Sequence, residues 1–420
     1  MSQRKSHALG PDFWTRFAAE HWEKSPAVFP GVFAAPILSR DEVLRGLKVA
    51  FTRLQSGDPG ARPRCYVEGA ELTNGAEYAR MVPLAGDTTL EAYAERLGKL
   101  LGGKGFGIVV NAFHVHHPAL WHRLRGFFSG LYAVTGLPAS KTDPVLFFGN
   151  YPVTPFGVHT DEASVFTFNL GATKRMLAWP GDHFEKRGVP AMSTHLLAPH
   201  GPHAQEATEL KMGPNDLMYW PPSHWHVGVS EGELLATLGV GAYCATSAQA
   251  VVEPALRLAL RGTPQLGPMR ATDGALPPEL VRALEAAQTA VTSGALGREL
   301  RAEWLRRLTS DGCLPAPPLV PGTLAAKDRV QRCDGASILH AVLPEGFLFA
   351  AGGHSWFLGP AGDGSPFDAA HAAPLIEVFA ELNAGAPVRV GQLSKKTAGL
   401  GAQTHAVLEA LLAAQTIEKA

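Results

Sequence analysis

Between residues 143 and 240 the chain breaks into short apolar runs closed by glycine, proline or asparagine. Val145-Leu146-Phe147-Phe148 and residues 165–170, 175–179, 209–212, 216–220, 224–229 and 234–240 all read as strands. A single strand of this length cannot bury a face by itself, so the region is expected to form a β-barrel or jelly roll. Side chains from alternate strand positions converge on the interior and the mouth of such a barrel.

The chemistry falls inside this stretch. His159 and Asp161 are two residues apart, which on a strand places both side chains on one face. Lys174 follows on the next strand. A later segment, residues 215–230, supplies His226. Two histidines and one carboxylate form the facial set that holds ferrous iron and leaves the opposite positions open. A lysine deep on a neighbouring strand is a natural partner for the far carboxylate of 2-oxoglutarate. With 17 histidines in the chain, about one His-x-Asp arises by chance, so the pair needs its partners to carry weight. Two other spacings compete. His21-Trp22-Glu23 falls on a predicted helix, where residues two apart diverge. His183-Phe184-Glu185 falls in a loop with no lysine strand after it. His224 competes with His226, but it lies in the turn after Pro221-Pro222, which favours His226 as the third ligand.

These motifs resemble the JmjC-type, cupin-barrel 2-oxoglutarate oxygenases. The similarity is sharpest to the ribosomal oxygenases and to the asparaginyl hydroxylase of hypoxia signalling. In that group His-x-Asp is followed by a strand, a turn with glycine, and a Lys or Arg for 2-oxoglutarate. Here the order is His159, Asp161, the strand VFTFNL, Gly171 and Lys174. The distal histidine follows a pattern like D-L-x-Y-x-P-P-x-x-W-H, matched by residues 216–226. The segment HWEKSP at 21–26 also resembles the family's entry segment. The resemblance covers roughly residues 10–245. It implies a double-stranded β-helix, Fe(II), 2-oxoglutarate as cosubstrate, and O2. There are departures: where the asparaginyl hydroxylase has an asparagine six residues after the first histidine, this chain has Val165. Phe156 stands where that enzyme has a threonine, and Thr154 takes that role with a small shift. Thr154 and Asn150 are therefore the further candidates for 2-oxoglutarate binding, with a turn role for Asn150 as the alternative. Phe148, Phe166, Phe168 and Trp179 are candidate walls of the slot, with plain core as the more common role of aromatic residues on barrel strands.

A chain of 420 residues exceeds one ordinary core. Helices are expected at 12–23, after Ser39, at 89–101 and at 118–135, with an edge strand at 27–29. Beyond the barrel, 251–261 and 277–307 read as helical and 315–321 as a linker. A hairpin across Ala351-Gly352-Gly353 and helices near 373–383, 390–395 and 404–415 resemble a small winged helix. The expected plan is mainly β with flanking helices: an oxygenase domain at 1–247, a helical segment at 248–335 and a winged-helix-like domain at 336–420. The ribosomal oxygenases are similar in carrying dimerising helices and a winged helix after the barrel, which implies a homodimer.

The formal net charge of −1 argues against broad nucleic-acid or acidic-membrane binding. The four cysteines are far apart and fit a reducing cytoplasm. The first residues lack the apolar core of a leader, and no apolar run has the length to span a bilayer. The expected activity is hydroxylation of a C–H bond in a peptide or protein side chain, with release of succinate and CO2. A small metabolite as substrate, or a non-catalytic cupin scaffold, are the alternatives.

Overall fold

The computed structural model describes residues 9–58, 63–197, 199–269, 275–359, 369–397, 400 and 402–420, without the side chains of 369–371 and 402. The leader reading and the middle of the 55–64 loop lie outside these residues. The chain divides into two compact units, Met1–Cys244 and Ala245–Ala420.

The first unit opens with α1 (Pro11–Glu20), β1 (Ala27–Phe29) and α2 (Arg40–Gln55). Ser39 caps α2: its hydroxyl accepts from the Glu42 N–H, and the Glu42 carboxylate accepts from the Ser39 N–H. There follow β2 (Arg64–Val67), β3 (Ala70–Glu71), α3 (Gly75–Arg80), α4 (Leu90–Leu100), β4 (Phe106–Val110) and α5 (Pro118–Thr135). The barrel strands are β5 (Thr142–Gly149), β6 (Ser164–Asn169), β7 (Lys174–Pro180), β8 (Ala191–Met192), β9 (His195–Leu196), β10 (Thr208–Met212), β11 (Leu217–Trp220), β12 (His224–Val229) and β13 (Leu235–Ala242). Apart from the short β8–β9 hairpin they make two antiparallel sheets. The larger runs β1-β11-β6-β13-β5-β4-β2-β3, the smaller β10-β7-β12.

Helices cover the outer face of the larger sheet. Trp14 of α1 and Phe127 of α5 meet at 5.0 Å between ring centroids, and Phe127 lies 5.0 Å from Phe168. Tyr93 of α4 stacks on Phe148. Each such fully buried aromatic contributes about 1.5–3 kcal/mol. Arg123 of α5 donates to both oxygens of Glu42, at 3.0 and 2.8 Å, which ties α2 to α5. The opposite face of the sheet, one residue out of phase, is left to a cavity.

The second unit holds α6 (Ala248–Ala259), α7 (Pro278–Thr292), α8 (Ala295–Thr309), β14 (Arg329–Arg332), β15 (Ile338–Leu343), β16 (Gly346–Ala351), β17 (His354–Leu358), α9 (Ala369–Asn383), β18 (Val388–Arg389), α10 (Val390–Lys396), α11 (Ala402–Ala413) and β19 (Ile417–Lys419). The helix expected over 277–307 is broken at Gly294, whose φ of +81° suits glycine alone at low cost. Strand β16 separates two cores by its period of two. Leu348 and Ala350 pack on Ala302 and Leu305 of α8, whereas Phe347 and Phe349 pack with Phe379, Leu393 and Leu408.

More of the chain is helical than extended. The mainly-β class is thus corrected to a mixed helix-and-sheet arrangement on antiparallel sheets, because helices both sheathe the large sheet and make much of the second unit.

Candidate active site

A cavity of about 430 Å³ lies between the two sheets of the first unit. The larger sheet faces it with Val145 and Phe147 of β5, Val165 and Thr167 of β6, and Thr237, Gly239 and Gly241 of β13. The smaller sheet contributes Lys174 and Met176 of β7 and His226 and Gly228 of β12.

His159, Asp161 and His226 come together at its rim. The strand expected through His159 and Asp161 is not formed. His159 makes isolated bridges to His226 and His195, and Asp161 lies on irregular chain ahead of β6. The cause is local. The chain turns at 154–157, with Gly157 N–H on the Thr154 carbonyl and Gly157 at φ +67°. Residues 158–160 then run between β12 and the 194–196 strand, with His159 N–H on His226 O at 3.1 Å and Leu196 N–H on Val158 O at 3.0 Å.

Both rings are fixed through Nδ1. Nδ1 of His159 lies 3.0 Å from the Gly157 carbonyl and Nδ1 of His226 3.2 Å from the His224 carbonyl. A proton on each Nδ1 leaves each Nε2 with a free lone pair. Those Nε2 atoms lie 3.9 and 3.3 Å from the Asp161 carboxylate. Burial, and the adjacent His226, push His159 down to about 4, so it is a neutral imidazole at neutral pH. Burial opposes the charge of Asp161, yet His226 and His159 hold its pKa below the usual carboxylate value. Two imidazole nitrogens and one carboxylate oxygen fit a divalent iron. The indole of Trp220, whose ring lies 4.8 Å from His226, is buried beside this set and also helps to lower the pKa of Asp161.

Lys174 is the second feature. It is 4% exposed, and no hydrogen bond or ion pair is found for its ammonium among the described residues. Burial pushes its pKa down to about 8. Its nitrogen sits 5.7 Å from the centroid of the Tyr151 ring. A buried cation lacking an anion is costly unless a ligand supplies one. Gly228 makes the room: a Cβ there would lie 2.5 Å from Thr154 Oγ1 and 2.7 Å from Lys174 Nζ. Thr154 also lines the cavity, and its hydroxyl accepts from Gly228 N–H at 3.1 Å.

The comparisons are sparse in sequence and broad in structure. No protein-family model matches the chain, and no curated protein matches it. Solved structures do. The chain is similar to ycfD of E. coli, at 15% identity over 97% of this chain and 98% of that one, with a TM-score of 0.49. It is similar to YcfD, a ribosomal oxygenase from Escherichia coli, in complex with cobalt and 2-oxoglutarate, at 14% identity, 97% and 98% coverage and a TM-score of 0.47. A smaller match is an oxalate decarboxylase of Bacillus subtilis, at 12% identity over 34% of this chain and 27% of that one, with a TM-score of 0.19.

Of the residues singled out in the sequence, His159, Asp161, His226, Lys174 and Thr154 line the one cavity. Asn150 is placed elsewhere: its side-chain oxygen accepts from Phe106 N–H at 2.8 Å, joining β5 to β4. His224 Nδ1 lies 3.1 Å from the Ser223 hydroxyl and outside the cavity lining. Of the two readings of Phe148, Phe166, Phe168 and Trp179, core rather than slot wall is the one their positions match, since each sits one residue out of phase with the lining positions. Sequence reasoning missed Gly228, Gly239, Gly241 and Thr167. The signal was present: glycines at alternate positions in a strand mark close approach to another group.

Proposed function

We propose that this chain is an Fe(II)- and 2-oxoglutarate-dependent oxygenase that hydroxylates a C–H bond of a peptide or protein side chain. The observation that carries the reading is the sharing of one cavity by the His159–Asp161–His226 set and the buried Lys174, which has no ion pair among the described residues. His226 and Gly228 are two residues apart on β12, a rise of about 6.6 Å. Lys174 Nζ packs against Gly228. A dicarboxylate with one end on the metal and the other on the ammonium suits that arrangement.

His159, Asp161 and His226 would hold the iron, which with 2-oxoglutarate and O2 supplies the oxidising chemistry and releases succinate and CO2. The chain's own residues do the placing. The Gly157 and His224 carbonyls fix the two rings, Lys174 anchors the distal carboxylate, and Thr154 braces the β12 backbone beside it. Met176, Val165 and Phe147 keep the slot between them apolar.

A macromolecular substrate is supported at the rim. Thr194 and His195 line the cavity, while Met192 and Leu197 of the same 191–197 segment are 65% and 63% exposed. Exposed apolar side chains beside a cavity favour contact with a protein. The cavity volume also falls in the range of small-ligand sites, which keeps the metabolite reading as the second one. In the other unit, α9–α11 share a core with the β16–β17 hairpin, and this supports a winged-helix-like, protein-contact reading. Exposed Leu280, Leu284 and Val291 on α7 support coverage by a second copy. Four free cysteines fit a cytoplasmic setting. Among the described residues no helix is long and apolar enough to cross a membrane.

The test is succinate formation from 2-oxoglutarate with Fe(II) and ascorbate under air, beside iron-dependent 2-oxoglutarate binding. Turnover or binding that disappears in Asp161→Ala and Lys174→Ala supports the reading. Absence of both in the wild type overturns it. Gain of one oxygen by peptides of a proteome, against gain by small molecules of an extract, separates the two substrate classes.

A further inference from the structure

A second cluster of ligand atoms lies outside the catalytic cavity. His183, His203 and Glu206 each bring a nitrogen or carboxylate oxygen within 4.8 Å of the other two. None of the three lines the catalytic cavity. His183 lies three residues beyond the end of β7 and Glu206 two residues before β10 begins. The cluster therefore sits at the neck of the loop that carries the β8–β9 hairpin.

The positions are built. His203 and Glu206 are three apart on the 3-10 turn Gly201–Glu206, where such residues eclipse one another. The turn is anchored by Trp179 Nε1, which donates to the His203 carbonyl at 3.0 Å. Phe184 packs on Trp179, His203 and Trp225, which fixes the neighbouring His183. His183 is buried, and its Nε2 has no aligned hydrogen-bond partner among the described residues although Glu206 Oε2 is 3.2 Å away. Arg187 Nε also reaches Glu206 Oε2, at 2.7 Å, and leaves Oε1 of that carboxylate for a ligand.

We propose that His183, His203 and Glu206 form a three-ligand zinc site, open at its fourth position, that closes the neck of the 181–207 loop. Two imidazoles and a carboxylate are a familiar zinc donor set, with water completing the tetrahedron. A metal here joins the two ends of the loop. It thereby restrains the hairpin whose His195 stacks 5.8 Å from His159 and whose Thr194 lines the cavity. The sequence hides the site because twenty residues or so separate His183 from its partners. The adjacent Glu185, which mimics a ligand spacing, is not part of the cluster.

Zinc sulfate is titrated against a chromophoric chelator, using the full chain and a variant carrying His159→Ala, Asp161→Ala and His226→Ala. The expected result is about two equivalents in the former and about one in the latter. In both backgrounds His183→Gln with His203→Gln removes one equivalent, or weakens it by at least about tenfold, while Glu185→Gln leaves it. Zinc is expected to slow hydrogen exchange at the Leu196 and Thr160 amides in the catalytic-site variant, and this slowing disappears with the two glutamines. Should the catalytic-site variant fold poorly, the fall from two equivalents to one in the otherwise native chain decides the matter. No second equivalent in the full chain, or a second equivalent indifferent to both glutamines, overturns the site.

Discussion

His159 and His226 pair main chain to main chain, each donating its N–H to the other's carbonyl, at 3.1 and 2.9 Å. Their ring centroids are 4.4 Å apart. The separation of the two imidazoles is thus set by a backbone ladder and not by long side chains, which is the rigidity that a metal site needs. His159→Ala, Asp161→Ala and His226→Ala are each expected to lower succinate formation by at least about a hundredfold, since loss of mere outer-shell partners already costs 10–100-fold. Far-UV circular dichroism should stay unchanged, because the ladder survives side-chain removal.

Lys174 links the site to pH. Its pKa is lowered from 10.5 to about 8 by burial. Between these values the unfolded chain holds a proton that the folded chain has released, so the stability of the ligand-free protein rises with pH through that window. On the proposed role of Lys174 the cosubstrate anion pairs with the protonated lysine, so its affinity should fall above about pH 8. Lys174→Met should bind 2-oxoglutarate about 10–100-fold more weakly, the loss of a charged hydrogen bond worth about 1.5–3 kcal/mol. The same variant should melt at a higher temperature, because an uncompensated buried charge is gone. Calorimetric titration and thermal unfolding measure the two effects.

Gly228→Ala separates room from charge. The new methyl group meets Thr154 Oγ1 and the end of Lys174. The lysine is flexible and can swing aside, so the expected signature is a raised KM for 2-oxoglutarate with a smaller change in Tm. Equal loss of stability and affinity would assign Gly228 to the fold alone.

Glu42 offers a test of the scaffold. Burial opposes its charge, but Arg123 and the Ser39 N–H hold its pKa down at about 2. A lowered carboxylate pKa stabilises above the unfolded value of 4.5 and is lost as pH falls towards 2. Glu42→Gln should cost about 2–3 kcal/mol at pH 7. Urea unfolding should show the gap between wild type and variant closing as pH falls from 4.5 towards 2.

The barrel strands were legible because short apolar runs between turn residues admit few other folds. β1, β12 and α5 match their expected limits, β6, β7, β10, β11 and β13 differ by a residue or two at their ends, β5 begins three residues early, and the short β8 and β9 lie where no strand was expected. The face of each strand was harder to assign. Phe147 lines the cavity and Phe148 does not, although both are apolar in an apolar run, because burial on both faces erases the alternation that reveals direction. His159 and Asp161 converge as expected, but from an irregular segment, since the Gly157 turn and the two flanking strands were invisible to a two-residue spacing rule.

By itself the sequence determined the donor types, their order along the chain and the short-strand pattern that must bring them together. These depend on local composition and on a period of two. The tertiary structure alone decided that Lys174 has no ionic partner among the described residues, that Gly228 opens the space beside it, that Asn150 serves the sheet, and that His183 meets Glu206 and not Glu185. Each of those depends on contacts between segments far apart in the chain, and such distances are fixed by packing and register rather than by any neighbouring residue.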